Sequence, residues 1–472
     1  MRTEEEGMTR KLIKGGTVVT ATETTRADIL IEGEKVAALL DPAQPAPIVD
    51  TEIDATDRLV FPGSIDAHTH MEIPFGAATS KDTFETGSRA AAWGGTTTII
   101  DFPIQMKGDS LIGSFEETMA KAAGSSAVDF GFHQIVGDVN EQSLAELDHV
   151  FKEGVTSYKL FTAYPGVYYS TDAEVMQVMQ WAAGNGSTIL MHAENGSAID
   201  LLRAQAVQRG DTAPLFHALT RPASLEGEAA HRVILLAELA GAPVYIVHIS
   251  AKEVVDEIGR ARQRGVNAFG ETCPQYLFLD LAMLDQGFEG AKFVCSPPLR
   301  DRREGHQEAL WRGLATGDLQ VIATDHCPFD FEGQKTLGRE DFTQIPNGLP
   351  VVEHRFQLMI HAALAEQRFS LNRMVDISAT APAKMFGLYP QKGTIAVGGD
   401  ADIAIVDPAA TTVVSAATHH MNVDYSCFEG MELQGRVEMV LSRGTVIVAD
   451  GEFRGSRSHG RYLPRGLNQL LF

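Results

Sequence analysis

Six residues spread along the chain have side chains suited to holding metal ions. "DAHTH" carries His68 and His70, "SYKLF" carries Lys159, "LMHAEN" carries His192, "IVHIS" carries His248 and "ATDH" carries Asp325. On an extended strand, positions two apart point to one face, so His68 and His70 suit two ligands of one ion. Each of the others has a plainer reading on its own. A strand-end histidine is often a satisfied core group, and an aspartate there is often a helix cap. Lys159 is the odd member, because burying a lone ammonium is costly unless it is paired or neutralised. An ammonium has no lone pair to offer a cation. Burial and nearby cations lower a lysine's pKa, however, and a neutral amine can add CO2. The resulting carbamate is anionic and has two oxygens, so it can bridge two metals. A salt bridge to an aspartate is the competing reading, and the residue types alone leave both open. His133, inside a strand, and His326, beside Asp325, are candidates to orient such ligands.

The elements that must position these residues alternate. Strand-like runs are "VFPGSIDAH", "TTTIIDF", "DFGFHQI", "VTSYKLF", "STILMH", "PVYIVHI", "NAFGET" and "QVIATD". Amphipathic helix-like stretches such as "DAEVMQVMQWAAGNG" separate most of them. Eight strands alternating with helices predict an α/β chain folded as a (β/α)8 TIM barrel, with a doubly wound open sheet as the runner-up. Barrel enzymes place their chemistry at the C-terminal ends of the strands. Five of the eight runs end in a potential ligand, which makes the conjunction far stronger than any member. The first 60 residues and the stretch "DADIAIVDP…VEMVLSRGTVIVADGEF" instead have the texture of short strands and turns. They predict a small β domain formed by both chain ends, residues 1–62 with 389–472, flanking a barrel over 63–388.

A formal net charge of −23 argues against nucleic acid or an anionic membrane as partner, since both select basic surfaces. No apolar run reaches the length of a membrane span, and "MRTEEEGMTRKLIKGG" lacks a hydrophobic signal core. Four dispersed cysteines without a CxxC pair fit a reducing, cytoplasmic setting, with no disulfide framework or thiolate zinc site.

The motifs "FPGSIDAHTHMEIPFG", "SYKLFTAY", "MHAEN", "VHIS", "GETCPQYLFLD", "CSPPLRDRREGHQEALW", "TDHCPFD" and "IPNGLPVVEHR" span nearly the whole chain. They resemble those of the dihydropyrimidinase/hydantoinase group of cyclic amidohydrolases, within the metal-dependent amidohydrolase superfamily. The resemblance implies a barrel with a small β-sandwich and a centre of two divalent ions, usually zinc. One ion would be held by His68, His70 and Asp325, and the other by His192 and His248. Carboxylated Lys159 and a hydroxide would bridge both. It further implies that Asp325 moves the proton and that Tyr164 donates to the oxyanion. Backbone groups of Ser296 and Asn347 would pair with the ring's remaining amide. Phe75, Phe161 and Tyr168 match positions that contact the exocyclic substituent, although plain packing would also account for them. The implied substrate is a small neutral cyclic ureide or imide. The implied assembly is a homotetramer, with "RSHGRYLPRGLNQLLF" as a contact arm.

Relatives of other kinds fit less well. Dihydroorotase-like members carry an arginine just after the HxH pair, whereas none follows here until Arg89. Allantoinase-like members lack the tyrosine matching Tyr164. Non-catalytic scaffold relatives lack metal ligands, and all six are present here.

Overall fold

The computed structural model describes residues 9–76 and 78–472. Eight short parallel strands run through the middle of the chain. They are β1 (Ser64–Asp66), β2 (Thr96–Asp101), β3 (Asp129–Phe132, resumed at Gln134–Ile135), β4 (Ser157–Phe161), β5 (Thr188–His192), β6 (Val244–Ile246), β7 (Ala268–Thr272) and β8 (Val321–Ile322). Strands adjacent in sequence are adjacent in space, in one arc from β1 to β3 and another from β3 to β8. Parallel bridges of Ile104 to Ile135 and of Thr69 to His326 join the arcs and return the last strand to the first. The ring so closed is the expected (β/α)8 barrel. Parallel neighbours need a long crossover, and helices such as Glu141–Lys152, Asp172–Asn185 and Lys252–Gln263 supply it. Asn140 and Thr171 begin two of these helices with reciprocal capping boxes.

Strand parity sets what the barrel interior receives. Tyr158 and Leu160 of β4 pack outward beneath the helices. Phe161, of opposite parity, joins the inner cluster with Ile65, Leu190, Tyr245 and Phe269. Lys159 shares the parity of Phe161 and therefore points inward. The end opposite the ligands is plugged, with Phe386 against His133 and Tyr245 at ring separations of 4.7 and 5.4 Å.

The run "VFPGSIDAH" divides instead of forming one strand. Leu59–Pro62 pairs antiparallel with Ile403–Val413, and only Ser64–Asp66 enters the barrel. Seven strands drawn from both ends of the chain form one sheet, and Arg10–Lys14 with its three neighbours forms another. Ile13, Ile29 and Ile53 of the smaller sheet meet Val18, Val60, Ile403 and Leu441 of the larger in one apolar layer. At the joint with the barrel, the buried Lys392 ammonium lies 2.6 Å from Asp129, 2.9 Å from Asp400 and 2.7 Å from Asp402. Arg443 also pairs with Asp129, and Lys35 with Asp400 at 2.6 Å, so three cations from within the protein meet that acidic triad.

The segment expected as a contact arm runs along its own barrel. Leu463 N–H donates to Phe130 at 2.7 Å and Arg465 N–H to Gly154 at 2.9 Å. The buried Arg465 guanidinium reaches Ser157 Oγ at 2.7 Å. No helix among the described residues is long and apolar enough to cross a membrane.

Candidate metal centre and active site

The strand ends bring the six candidate ligands to one place. His68 Nε2 lies 3.2 Å from His70 Nε2, 3.2 Å from Asp325 Oδ1 and 2.9 Å from Lys159 Nζ. His70 Nε2 is 3.3 Å from the same Asp325 oxygen. Across the cavity, His192 Nδ1 faces His248 Nε2 at 2.9 Å. Lys159, only 1% exposed, lies in the rim with them, its Nζ 4.5 Å from the centre of the Phe102 ring. No carboxylate comes within 4 Å of Lys159 Nζ among the described residues, so the salt-bridge reading does not hold. Burial lowers its pKa to about 8, although Asp325 and Glu271 act against that fall.

Backbone geometry aims two of these groups. Tyr245 and Val247 belong to the inner cluster, so simple alternation would turn His248 outward. A φ of +42° at His248 reverses it. Asp325 has φ +52° and Tyr164 φ +61°. Non-glycine residues in this region cost of order 1–3 kcal/mol each, and such strain concentrates at functional sites.

Three of the candidate histidines are prepared as neutral ligands. Burial holds His68, His70 and His248 below the usual imidazole range, and neutral imidazole is the metal-binding form. His68 Nδ1 is engaged by Glu271, and His192 Nε2 lies 2.8 Å from Glu194. Each contact leaves the opposite ring nitrogen facing inward. Burial alone would raise Asp325, but the neighbouring His68 and His70 hold it down to about 2. Imidazole nitrogens crowded together beside a carboxylate, with no thiolate, fit a divalent metal centre.

One cavity is bounded by Lys159, His70, His192, His248 and Asp325, and also by Phe161, Tyr164, Tyr168, Ser296 and Asn347. Phe161 stacks on His192 at 5.3 Å and on Tyr168 at 5.2 Å. The Tyr164 hydroxyl is hydrogen-bonded with Ser296 and Asn347, and desolvation pushes it up to about 12. Asn347 Nδ2 donates to Ser296 Oγ at 3.0 Å. The side chain of Phe75 lies outside the described residues.

The model of the amidohydrolase family matches residues 59–447. This chain belongs to the amidohydrolase family. It is 56% identical to D-hydantoinase of Streptomyces coelicolor, over 98% of this chain and 99% of that protein. It is 48% identical to D-hydantoinase of Geobacillus stearothermophilus, over 96% of each. Among solved structures it is similar to dihydropyrimidinase from Brevibacillus agri, with a TM-score of 0.94 at 47% identity, covering 97% of this chain and 99% of that one.

The groups that steady the ligands of this amidohydrolase differ from those expected. His133 Nε2 lies 3.0 Å from the Ala67 carbonyl, and His326 Nε2 lies 3.0 Å from Asp82. Neither ring meets a candidate ligand. Glu271 and Glu194 do so, and the only sequence signal for either was its place at or just past a strand end. His217 was also missed; its Nε2 lies 2.8 Å from the Cys295 carbonyl and 3.3 Å from Ser296 Oγ. Replacing Glu271 by Gln removes the carboxyl that faces His68 Nδ1 while preserving shape. Metal affinity is expected to fall about 10- to 100-fold, measured by competition with a chelator. An unchanged affinity would restrict Glu271 to packing.

Proposed function

We propose that this chain hydrolyses the ring of a cyclic ureide, a 5,6-dihydropyrimidine or a 5-substituted hydantoin, to the N-carbamoyl amino acid. The observation that carries the reading is the convergence of five candidate ligands and Tyr164 on one cavity, with His68 against His70, Asp325 and Lys159 behind its wall, around a buried lysine with no carboxylate partner among the described residues. The relatives named above as hydantoinases and dihydropyrimidinase support the substrate class. The cavity wall contains no arginine among the described residues, which suits a neutral ring better than a substrate carboxylate.

We assign His68, His70 and Asp325 to one divalent ion, His192 and His248 to a second, and Lys159, as its carbamate, to both. Zinc suits the histidine, carboxylate and carbamate donors. When bound, the metal pair makes water acidic enough to ionise near neutral pH and polarises the carbonyl to be attacked. Asp325, held as a carboxylate, takes the proton from the attacking water. It returns that proton to the ring nitrogen as the C–N bond breaks. The Tyr164 hydroxyl donates to the oxygen on which negative charge develops. Backbone groups of Ser296 and Asn347 hold the remaining amide, while Phe161 and Tyr168 face an apolar substituent. Phe75 is assigned to that wall from the resemblance. We place the enzyme in the cytoplasm, since its four cysteines are free and buried, and as the homotetramer implied by the family resemblance.

The test compares hydrolysis of dihydrouracil, hydantoin and both enantiomers of a 5-aryl hydantoin, on protein of measured metal content. Ring opening is expected, with the D-enantiomer preferred by at least about 10-fold, or about 1.4 kcal/mol. Protein carrying two metals that opens none of these rings would overturn the reading.

A further inference from the structure

A second lysine is fully buried beside the site. Lys335 is 0% exposed and lies at the start of the turn Lys335–Gly338. No carboxylate lies within ion-pair distance of its ammonium among the described residues. Nζ instead donates to two backbone carbonyls, Val294 at 3.1 Å and Pro346 at 3.0 Å. Burial pushes its pKa down to about 7, and keeping such a group in the interior with only carbonyls as partners is costly. Its place there calls for something that apolar packing would not supply.

The two carbonyls mark what that is. Val294 lies two residues before Ser296, and Pro346 immediately precedes Asn347. The Val294 carbonyl also accepts the Gly348 N–H at 3.0 Å. Asn347 is therefore bracketed, with Pro346 tied through Lys335 and Gly348 tied directly to the same carbonyl. The Asn347–Ser296 side-chain hydrogen bond closes the register between the two segments. His217 fixes the 294–296 segment from another side, through the Cys295 carbonyl. Gly348 couples this assembly to the strand end bearing Asp325, because a Cβ there would come within 2.1 Å of the Cys327 carbonyl oxygen.

We infer that Lys335 is a positioning residue for substrate recognition, an internal clamp that sets the spacing and register of the segments carrying Ser296 and Asn347. The inference rests on the proposed role of those segments in holding the ring's remaining amide. Lys335 does not line the cavity. It acts through peptide groups that must stand at a fixed separation to meet a ring amide, and displacements of about an ångström are costly at such sites. Lysine suits this task because three donors at the end of a long stem can serve two carbonyls without a counter-ion.

The test uses the metal-loaded enzyme with dihydrouracil and hydantoin, and the variants Lys335→Met and Lys335→Gln. Met preserves length and removes both hydrogen bonds, whereas Gln is shorter and keeps donors. KM is expected to rise about 10-fold or more in Lys335→Met and about 3-fold in Lys335→Gln. kcat is expected to fall less than KM rises, and metal content to stay at the parent value. In a double-mutant cycle, Lys335→Met with Asn347→Ala should raise KM by less than the product of the single effects, since both loosen one register. KM within about 1.5-fold of the parent in the folded variants, or fully independent effects in the cycle, would overturn the clamp. If Lys335→Met yields no folded protein, Lys335→Gln decides alone by the same limit. A parent enzyme inactive on both rings would count against the proposed function, which separates that failure from failure of the clamp.

Discussion

Lys159→Ala is expected to abolish ring opening, with activity down by at least about 10³-fold and metal content falling below two ions per chain. The substitution removes the one group assigned to both ions. Nothing else on β4 replaces it, because Tyr158 and Leu160 face the opposite way. A small carboxylic acid added in solution is expected to restore part of the activity, since a carboxylate supplies the two oxygens of the lost carbamate. Lys159→Met separates charge from bulk and should be as inactive as the alanine variant. Metal analysis beside turnover measurements checks both effects. A variant that keeps two tightly held ions and the full rate would remove Lys159 from the centre.

Tyr164→Phe is expected to lower kcat by about 10²- to 10³-fold, the range for losing one oxyanion donor, with both metals retained. The ring stays and only the hydroxyl is lost, so the contacts of Tyr164 with Tyr168 and His192, at 6.3 and 5.3 Å, should persist. That hydroxyl is hydrogen-bonded with Ser296 and Asn347, so the variant should also raise KM modestly. The rate loss, however, should dominate. Unchanged turnover at full metal occupancy would eliminate the oxyanion role and leave Tyr164 as wall.

Much of this was legible one residue at a time. The lysine of "SYKLF" has the parity of Phe161, and parallel strands buried on both faces leave it nowhere to go but the interior. Asp325 falls on the count of Val321 and Ala323, but its own backbone is left-handed, so alternation alone does not aim it. His248 is a different case. Alternation assigns it outward, and only a left-handed backbone that no composition announces turns it in. Glu194, Glu271, His217 and Lys335 were invisible for another reason. The partners of Glu271, His217 and Lys335 lie on other strands and loops, in pairings that no local window contains; Glu194 meets His192 two residues away, but only the fold shows that the two side chains turn toward each other. Lys392 and its three aspartates likewise join segments far apart in sequence. The division of "VFPGSIDAH" escaped detection because two strands separated by one glycine have the texture of one.

That division has a consequence for how the molecule is made. Leu59–Pro62 emerges early in synthesis, yet its antiparallel partner Ile403–Val413 emerges hundreds of residues later. The plug beneath the barrel, Phe386 and Arg465, comes from the same late part of the chain. Long-range pairings of this kind slow folding and leave strand edges and apolar faces waiting for their partners. The nascent chain must therefore hold a half-built sheet and an open-bottomed barrel until its last hundred residues arrive. Expression should be most sensitive to temperature and chaperone supply in that interval, long before the catalytic rim is put to use.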